Sequence, residues 1–180
     1  MDHAPLRLAV LVASTRPGRF GPTVASWFTG EAACRADLAV DVVDLAALDV
    51  PGEDFATAIA GADAVVVVTP EYNHSFPGPL KAAVDSLRAE WFAKPIGFVS
   101  YGGISGGLRA VEALRLVFAE LHAVTVRETV SFPLAWECFD GDGAVKDPDA
   151  VTVAAARLLD QLTWWAVALR AGRANRAYPA

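Results

Sequence analysis

The chain has 180 residues, a formal net charge of −6 and a hydrophobic fraction of 54%. This length is typical of one domain, and we expect one over residues 1–180, with its core at about 6–170 and a tail at 171–180. The acidic balance argues against a nucleic-acid partner, which would need a basic patch. No apolar run reaches the ~20 residues of a membrane span, and the N-terminus lacks the features of a signal peptide. We therefore expect a cytoplasmic protein without a membrane partner.

A metal site is not indicated by the sequence. Cys34 and Cys138 stand far apart, so they predict ordinary thiols rather than a disulfide framework or a metal cluster. The run from Asp140 to Gly143 faintly resembles a calcium loop, but it lacks the glutamate that such a loop needs at its twelfth position. We interpret this run as a turn.

The first half of the chain alternates between strands and helices. Apolar residues at 6–13 predict a buried strand, and polar residues then lead into a helix that ends near residue 36. The alternating pattern at 40–45 predicts a second strand at a sheet edge. The β-branched run at 63–69 predicts a third strand in a central position, where both of its faces are covered.

The second half continues this alternation. Gly78 and Pro79 open a helix, because proline suits the first helical turn, and its apolar positions recur as far as Trp91. The remaining predicted elements are strands at 95–101 and 124–130, a helix at about 108–122, an irregular stretch at 131–149 and a last helix from 150 to about 170. Five strands joined by helices predict an α/β fold, with a parallel sheet, right-handed crossovers and helices on both faces.

Three strand-to-helix junctions carry polar and glycine-rich sequence, at 14–23, 70–78 and 100–107. In an open parallel sheet, ligands bind outside the carboxyl ends of the strands. Because all three segments follow strands that end at that edge, we expect them to form one binding site.

The first segment is suited to an anion. The N-terminus of a helix offers unpaired backbone N–H groups and the positive end of the helix dipole. Ser14 and Thr15 add hydroxyl groups, and Arg16 and Arg19 add positive charge that suits phosphate. The segment matches neither the Walker A motif nor the dinucleotide fingerprint, so a monophosphate is favoured over a triphosphate or a pyrophosphate. The alternative is an ordinary helix start with solvated arginines.

The second segment combines aromatic and polar side chains. The ring of Tyr72 beside the side-chain amide of Asn73 suits a flat heterocycle with hydrogen-bonding groups on its rim. His74 is more typical of an exposed loop than of a catalyst. Glu71 is either a solvated charge or a group that positions its neighbours through hydrogen bonds.

The third segment, residues 100–107, is rich in glycine. Glycine adopts positive φ and lets the backbone approach a ligand closely. The alternative is a tight turn before a helix, so this segment by itself does not decide between the two.

The residues of all three segments resemble the NADPH-dependent FMN reductase family, which includes related quinone and azo-dye reductases. The matching runs are Ser-Thr-Arg-Pro-Gly-Arg at 14–19, Pro-Glu-Tyr-Asn-His-Ser-Phe-Pro-Gly-Pro-Leu-Lys at 70–81 and Ser-Tyr-Gly-Gly-Ile-Ser-Gly-Gly-Leu-Arg at 100–109. The resemblance spans about residues 6–170. The chain departs from the family pattern at Ala13, where many relatives have glycine, and at Ala82, where asparagine is usual.

The resemblance implies a flavodoxin-like fold, a three-layer sandwich whose five-stranded parallel sheet has the order 2-1-3-4-5. It also implies an FMN cofactor, NADPH or NADH as electron donor, a small acceptor such as a quinone or free flavin, and a homodimer or homotetramer. No catalytic side chain is obligatory, because the flavin carries the chemistry. The alternatives are a flavodoxin-type electron carrier that a partner protein reduces, and a binding or regulatory domain with an empty pocket.

The same resemblance implies a role for each segment. The first holds the FMN phosphate, the second lines the isoalloxazine ring and the ribityl chain, and the third approaches the ring system. The implied cofactor-binding residues are, in that order, Ser14, Thr15, Arg16 and Arg19; Pro70, Glu71, Tyr72, Asn73 and His74; and Tyr101, Gly102, Gly103 and Ser105.

Overall fold

A computed structural model describes residues 4–179, and its centre is a five-stranded parallel sheet. The strands are β1 (Leu6–Val12), β2 (Leu38–Asp44), β3 (Ala64–Pro70), β4 (Pro95–Tyr101) and β5 (Val124–Phe132). They lie in the order β2-β1-β3-β4-β5, and every neighbouring pair is parallel. The predicted sheet, its order and the edge position of β2 are confirmed. β3 is buried along its whole length, as its β-branched sequence predicted.

Helices cover both faces of the sheet. They are α1 (Gly21–Ala33), α2 (Glu53–Gly61), α3 (Gly78–Asp85), α4 (Leu108–Glu120), the short α5 (Ala135–Cys138) and α6 (Pro148–Asn175), with a 3₁₀ turn at Ala89–Trp91. Side chains of α1 and α6 pack on one face, around Phe28 and Leu158. Those of α2, α3 and α4 pack on the other, around Phe55 and Phe118. The three-layer prediction is confirmed. Within residues 4–179, no helix has both the length and the apolarity needed to cross a bilayer.

Four sequence predictions about helices differ from the structure. The helix that opens at Gly78 was predicted to continue as far as Trp91, but α3 ends at Asp85 and a separate 3₁₀ turn follows at Ala89–Trp91. The sequence pattern predicted no helix between the second and third strands, where α2 forms with Phe55 and Ile59 buried, because two apolar residues are too few to show a helical period. α5 lies within the stretch that was predicted to be irregular. The predicted tail at 171–180 begins too early, since α6 continues to Asn175. Near that end, Arg173 donates a hydrogen bond to the carbonyl oxygen of Ala93, a contact far away in the sequence.

Side chains from both helical layers cap the backbone of the edge strand β5. Arg115 of α4 donates to the carbonyl oxygens of Val126 and Arg127, at 2.6 and 3.0 Å. Gln161 of α6 accepts a hydrogen bond from the backbone N–H of Glu128, at 3.0 Å. An edge strand exposes such groups unless something covers them. Three consecutive residues of β5 therefore have a backbone group occupied by a side chain.

A buried lysine lies near the amino end of the sheet. Lys94 immediately precedes β4 and donates to the carbonyl oxygens of Ile59 and Ala60, at the C-terminal end of α2. A cation at this end of a helix is stabilised by the helix dipole. Burial lowers the pKa of Lys94 to about 8. Lys94 thus joins α2 to β4 on the side of the sheet away from the three segments that the sequence singled out.

Candidate functional site

Three loops meet at the carboxyl edge of the sheet. The first loop (residues 13–20) follows β1, the second loop (71–77) follows β3, and the third loop (102–107) follows β4. The guanidinium carbon of Arg16 lies 3.8 Å from the centre of the Tyr72 ring, and Ser105 Oγ lies 2.6 Å from Glu71 Oε2. The first contact joins the first and second loops, and the other joins the second and third. The structure therefore brings the three predicted segments together.

Arg19 anchors the first loop to the neighbouring strand. Its Nη1 and Nη2 atoms each lie 2.6 Å from a carboxylate oxygen of Asp44, the last residue of β2, and Nη1 also donates to the carbonyl oxygen of Ser14 at 2.8 Å. Burial raises the pKa of Asp44, but the hydrogen bonds from Arg19 and from a backbone N–H outweigh it and hold that pKa below its usual value. The sequence predicted Arg19 as a phosphate ligand. In the structure the Arg19 guanidinium is paired with Asp44, so the exposed guanidinium of this loop is that of Arg16.

Two buried hydroxyls near the start of α1 have no hydrogen-bond partner among residues 4–179. Ser14 is 1% exposed and Tyr101 is 5% exposed, and neither Ser14 Oγ nor Tyr101 OH is bonded. Both approach Gly21, the first residue of α1, where a Cβ would lie 2.3 Å from Ser14 Oγ and 2.9 Å from Tyr101 OH. The helix has no side-chain cap, because Phe20 stands at its N-cap position. This α1 corner, formed by Ser14, Gly21 and Tyr101, is an arrangement that an anion would complete.

The second loop turns tightly at its tip. Tyr72 and Ser75 exchange backbone hydrogen bonds of 2.9 and 3.0 Å, which close the turn. Asn73 and His74 adopt φ angles of 52° and 68°, in the left-handed region that favours glycine. Both residues are exposed. Backbone strain of this kind concentrates at binding sites, where the surrounding structure maintains it.

Glu71 joins the second loop to the third. Its carboxylate accepts hydrogen bonds from Ser105 Oγ at 2.6 Å, from Arg109 Nε at 2.6 Å and from the Arg109 backbone N–H at 3.2 Å. The Glu71 side chain is 7% exposed, whereas that of Arg109 is 49% exposed. Burial raises the pKa of Glu71, but these hydrogen bonds and the Arg109 charge more than offset it, so the pKa is below its usual value. Of the two roles that the sequence left open, the structure supports positioning. We call these three residues the Glu71 clamp.

Polar contacts and one glycine fix the third loop. Ser100 Oγ and Ser131 Oγ both donate to the carbonyl oxygen of Gly106, at 2.8 and 3.0 Å. Gly107 has a φ of 87°, and a Cβ there would lie 2.7 Å from Ser100 Cβ. A larger residue at 107 would be both strained and crowded. Gly103, in contrast, has open space where a Cβ would stand, so its backbone can be approached closely.

Three residues that shape the site were not predicted from the sequence. Asp44 carried no local signal, because its partner Arg19 lies 25 residues away. Arg109 ended the third motif, but nothing in the motif showed that it reaches Glu71. Gly21 was identifiable as a glycine at a helix start, although its close neighbours were not. Tyr101 was expected near a ring system, and the structure places its hydroxyl at the α1 corner instead.

A family model described as NADPH-dependent FMN reductase matches residues 6–137, a stretch that contains all three loops. The chain belongs to the NADPH-dependent FMN reductase family. The motifs of the three loops, and their order along the chain, are those by which the sequence resembles this family.

Relatives of the chain carry names that agree with this family. An NAD(P)H-dependent FMN reductase of Schizosaccharomyces pombe is 37% identical over 120 residues, which cover 56% of this chain and 60% of the relative. A quinone reductase of Pseudomonas putida is 32% identical over 160 residues, which cover 78% of this chain and 84% of the relative. A 2-hydroxy-1,4-benzoquinone reductase of a Burkholderia species is 33% identical over 130 residues, covering 65% and 67%. The chain thus aligns with less than two thirds of the length of the fission-yeast relative.

Solved structures share the fold. The NAD(P)H:(acceptor) oxidoreductase FerB from Paracoccus denitrificans has a TM-score of 0.70 at 21% identity, over 89% of this chain and 97% of FerB. The apo form of the NADH:FMN oxidoreductase EmoB has a TM-score of 0.69 at 19% identity, over 97% and 92%. A flavodoxin from Streptococcus pneumoniae has a TM-score of 0.63 at 18% identity, over 88% and 98%. At these identities the likeness establishes a flavodoxin-like fold, which reductases and electron carriers share.

Proposed function

We propose that this chain is an FMN-dependent NAD(P)H oxidoreductase, which passes hydride from a nicotinamide to flavin and electrons on to a quinone, free flavin or similar small acceptor. The observation that carries the proposal is the α1 corner, where two buried hydroxyls without partners lie beside an uncapped helix N-terminus. Membership in the family and the names of the relatives support the same activity.

The residues of the first loop fit the phosphate of FMN. A phosphate monoester at the α1 corner would accept hydrogen bonds from Ser14 Oγ and from the backbone N–H of Gly21, because Pro22 has no N–H and the N–H of Thr23 already donates to the carbonyl oxygen of Phe20. Thr15 and the exposed Arg16 lie on the same loop and supply a further hydroxyl and a positive charge. Arg19, held by Asp44, maintains the shape of the loop.

The second and third loops fit the flat ring and the ribityl chain. The open space at Gly103 admits a ring against the backbone, and the Glu71 clamp keeps the two loops together. The residues that we assign to this end of the site are Pro70, Tyr72, Asn73, His74, Gly102 and Gly103, with Glu71 and Ser105 behind them.

The protein's part in the reaction is to bind and orient. When bound, FMN supplies the hydride and electron chemistry, so no acid or base of the protein is required. The Glu71 carboxylate agrees with this, because its hydrogen bonds favour the ionised form and hold it as a structural group. The Tyr72 ring, with the Arg16 guanidinium stacked on it, links the phosphate end of the site to the ring end.

The test is the visible spectrum of the purified protein with FMN, before and after NADPH or NADH is added without oxygen. We expect the protein to bind FMN, and a nicotinamide to bleach the bound flavin without any partner protein. A quinone should then restore the oxidised spectrum. Free FMN with the same nicotinamides is the control for a reaction without protein.

Two outcomes would contradict the proposal, and they point to different alternatives. Bound FMN that stays oxidised with both nicotinamides would support the flavodoxin-type electron carrier. A protein that binds no FMN would support a binding or regulatory domain.

We also propose that residues 1–180 form one domain and that the protein is cytoplasmic.

We further propose that the chain forms a homodimer or homotetramer. Exposed apolar side chains beside the site support this assembly, namely Ile104 in the third loop and Leu108 at the start of α4. Light scattering should give a multiple of the 19.0 kDa chain mass, and Ile104→Asp should lower it. A monomer at micromolar concentration would contradict the assembly.

A further inference from the structure

The hydroxyl of Tyr101 is not explained by packing. The Tyr101 ring lies in the apolar cluster beneath α1, with its centre 6.1 Å from that of Phe20. A phenylalanine would fill the same space, yet this ring carries a buried hydroxyl without a partner in residues 4–179. An unpaired buried hydroxyl costs free energy. Such a hydroxyl calls for a hydrogen bond to a nearby group.

The nearby hydroxyl of Ser14 is the natural partner. Both oxygens approach the same side of Gly21, and the missing Cβ leaves the space between them clear. A serine hydroxyl has one proton to donate and two lone pairs that accept. A hydrogen bond from Tyr101 to Ser14 Oγ would use a lone pair and leave the Ser14 proton free for an acceptor outside. Burial raises the pKa of Tyr101 to about 12, so its phenol stays protonated and remains a donor at neutral pH.

We propose that Tyr101 is a positioning residue for the flavin phosphate: its hydroxyl donates to Ser14 Oγ and aims the Ser14 proton at a phosphate oxygen, so that the chain selects FMN over riboflavin. This inference rests on the proposed function, because it takes FMN as the ligand. Phosphate oxygens accept hydrogen bonds and carry negative charge, and therefore match a corner made of donors. The terminal hydroxyl of riboflavin has no charge and matches it poorly.

The first experiment measures the dissociation constants of FMN and riboflavin for wild type and for Tyr101→Phe. We expect Tyr101→Phe to weaken FMN binding about tenfold, the usual size of one hydrogen bond, and to leave riboflavin binding unchanged. Tyr178→Phe is the matched control, because Tyr178 lies against Phe92 and His122 at a distance from the site. It should change neither constant.

The second experiment tests whether Tyr101 acts through Ser14. In a double-mutant cycle, Tyr101→Phe should have no further effect on FMN binding once Ser14→Ala is present. Additive losses would show that Tyr101 does not act through Ser14. Equal losses for FMN and riboflavin, or no loss for FMN, would also overturn the inference, since a general structural defect would affect both flavins.

A third measurement separates this inference from the proposed function. Inorganic phosphate should raise the melting temperature of the flavin-free wild type, and this shift should be lost in Tyr101→Phe. The shift reports on the α1 corner without any flavin, and its persistence in Tyr101→Phe would contradict the role of Tyr101. If the wild type binds FMN and NADPH reduces the bound flavin, but Tyr101→Phe binds FMN as tightly as the wild type, the inference is overturned and the proposed reductase activity is not. Wild type that binds no FMN would overturn both the reductase and the selection of FMN, while the phosphate measurement would still test whether Tyr101 acts on an anion at the corner.

Discussion

The Glu71 clamp and the α1 corner lie at the same edge of the sheet. The buried polar groups of the clamp have hydrogen-bond partners, whereas those of the corner have none within the described residues. In the clamp, the Glu71 carboxylate accepts three hydrogen bonds, from Ser105 and Arg109. In the corner, the hydroxyls of Ser14 and Tyr101 are as deeply buried and have no partner within the described residues. A paired buried group stabilises a fold, whereas an unpaired one destabilises it.

This difference indicates two roles within one site. The clamp stabilises the free protein and fixes the second and third loops in place before a ligand arrives. The corner lowers the stability of the free protein, and in the proposed function its hydroxyls gain partners when FMN binds. Mutations in the two regions should therefore change the free energy of unfolding in opposite directions, and the following predictions test that contrast.

The largest effect is expected from disturbing the backbone of the third loop. Gly107→Ala places a Cβ 2.7 Å from Ser100 Cβ at a φ of 87°, and should lower the free energy of unfolding by about 3 kcal/mol. Gly103→Ala is the control, because a Cβ there meets no atom within 4 Å. It should change stability by less than about 0.5 kcal/mol while weakening FMN binding. Urea unfolding measures the first quantity, and equal stability of the two variants would contradict the prediction.

The clamp itself should contribute the next largest amount. Glu71→Gln removes the charge that Ser105 and Arg109 bind, and should lower the free energy of unfolding by about 2 kcal/mol. Glu112→Gln removes a carboxylate from an ion pair with Arg115 whose glutamate is 74% exposed. That control should cost less than about 0.5 kcal/mol, because exposed ion pairs contribute little. Similar losses in the two variants would show that burial of the clamp does not matter.

The contribution of the clamp to the free energy of unfolding should disappear in acid. The pKa of Glu71 is lower in the folded protein than its ordinary value of 4.5, so ionised Glu71 favours the folded state. This stabilisation is present above the ordinary value and is lost as the pH falls through the lowered one. The difference in free energy of unfolding between wild type and Glu71→Gln should therefore narrow between about pH 6 and about pH 3. A difference that stays constant over this range would contradict an ionised clamp.

The smallest effects give the sharpest contrast, because the same chemical change is made in both regions. Ser105→Ala removes a hydrogen bond to the Glu71 carboxylate and should lower the free energy of unfolding by about 1 kcal/mol. Ser14→Ala removes an unpaired hydroxyl and should raise the free energy of unfolding of the flavin-free protein by up to about 1 kcal/mol. Flavin-free protein should be compared by thermal and urea unfolding. If Ser14→Ala is as destabilising as Ser105→Ala, the two regions do not differ as described.

Local sequence was enough to predict most of the fold. The continuous β-branched run of β3 and the glycine–proline start of α3 are strong local signals. β3 formed and α3 began where expected, but α3 ends at Asp85 and does not continue to Trp91. α2 was missed because it is short and buries Phe55 and Ile59 alone. α6 continues to Asn175, and near its end Arg173 contacts Ala93, a distant residue that no local pattern reveals.

The site was predictable in its position and less so in its contacts. The polar ends of three strands identified the loops, because strand order brings those ends together. The partners within the site are far apart in the sequence: Arg19 and Asp44 are separated by 25 residues, and Glu71 and Arg109 by 38. The pairing of each arginine with its carboxylate depends on how neighbouring strands are aligned. For the same reason, the direction of the Tyr101 side chain was not visible in the glycine-rich motif that follows it.

The capped backbone of β5 limits how copies of this chain can join. A strand from another molecule that paired with residues 126–128 would first have to displace Arg115 and Gln161 from their hydrogen bonds. A subunit that approaches residues 126–128 therefore meets the side chains of Arg115 and Gln161 before it meets backbone. Growth of one sheet from molecule to molecule, a common start of aggregation, is blocked along this part of the strand.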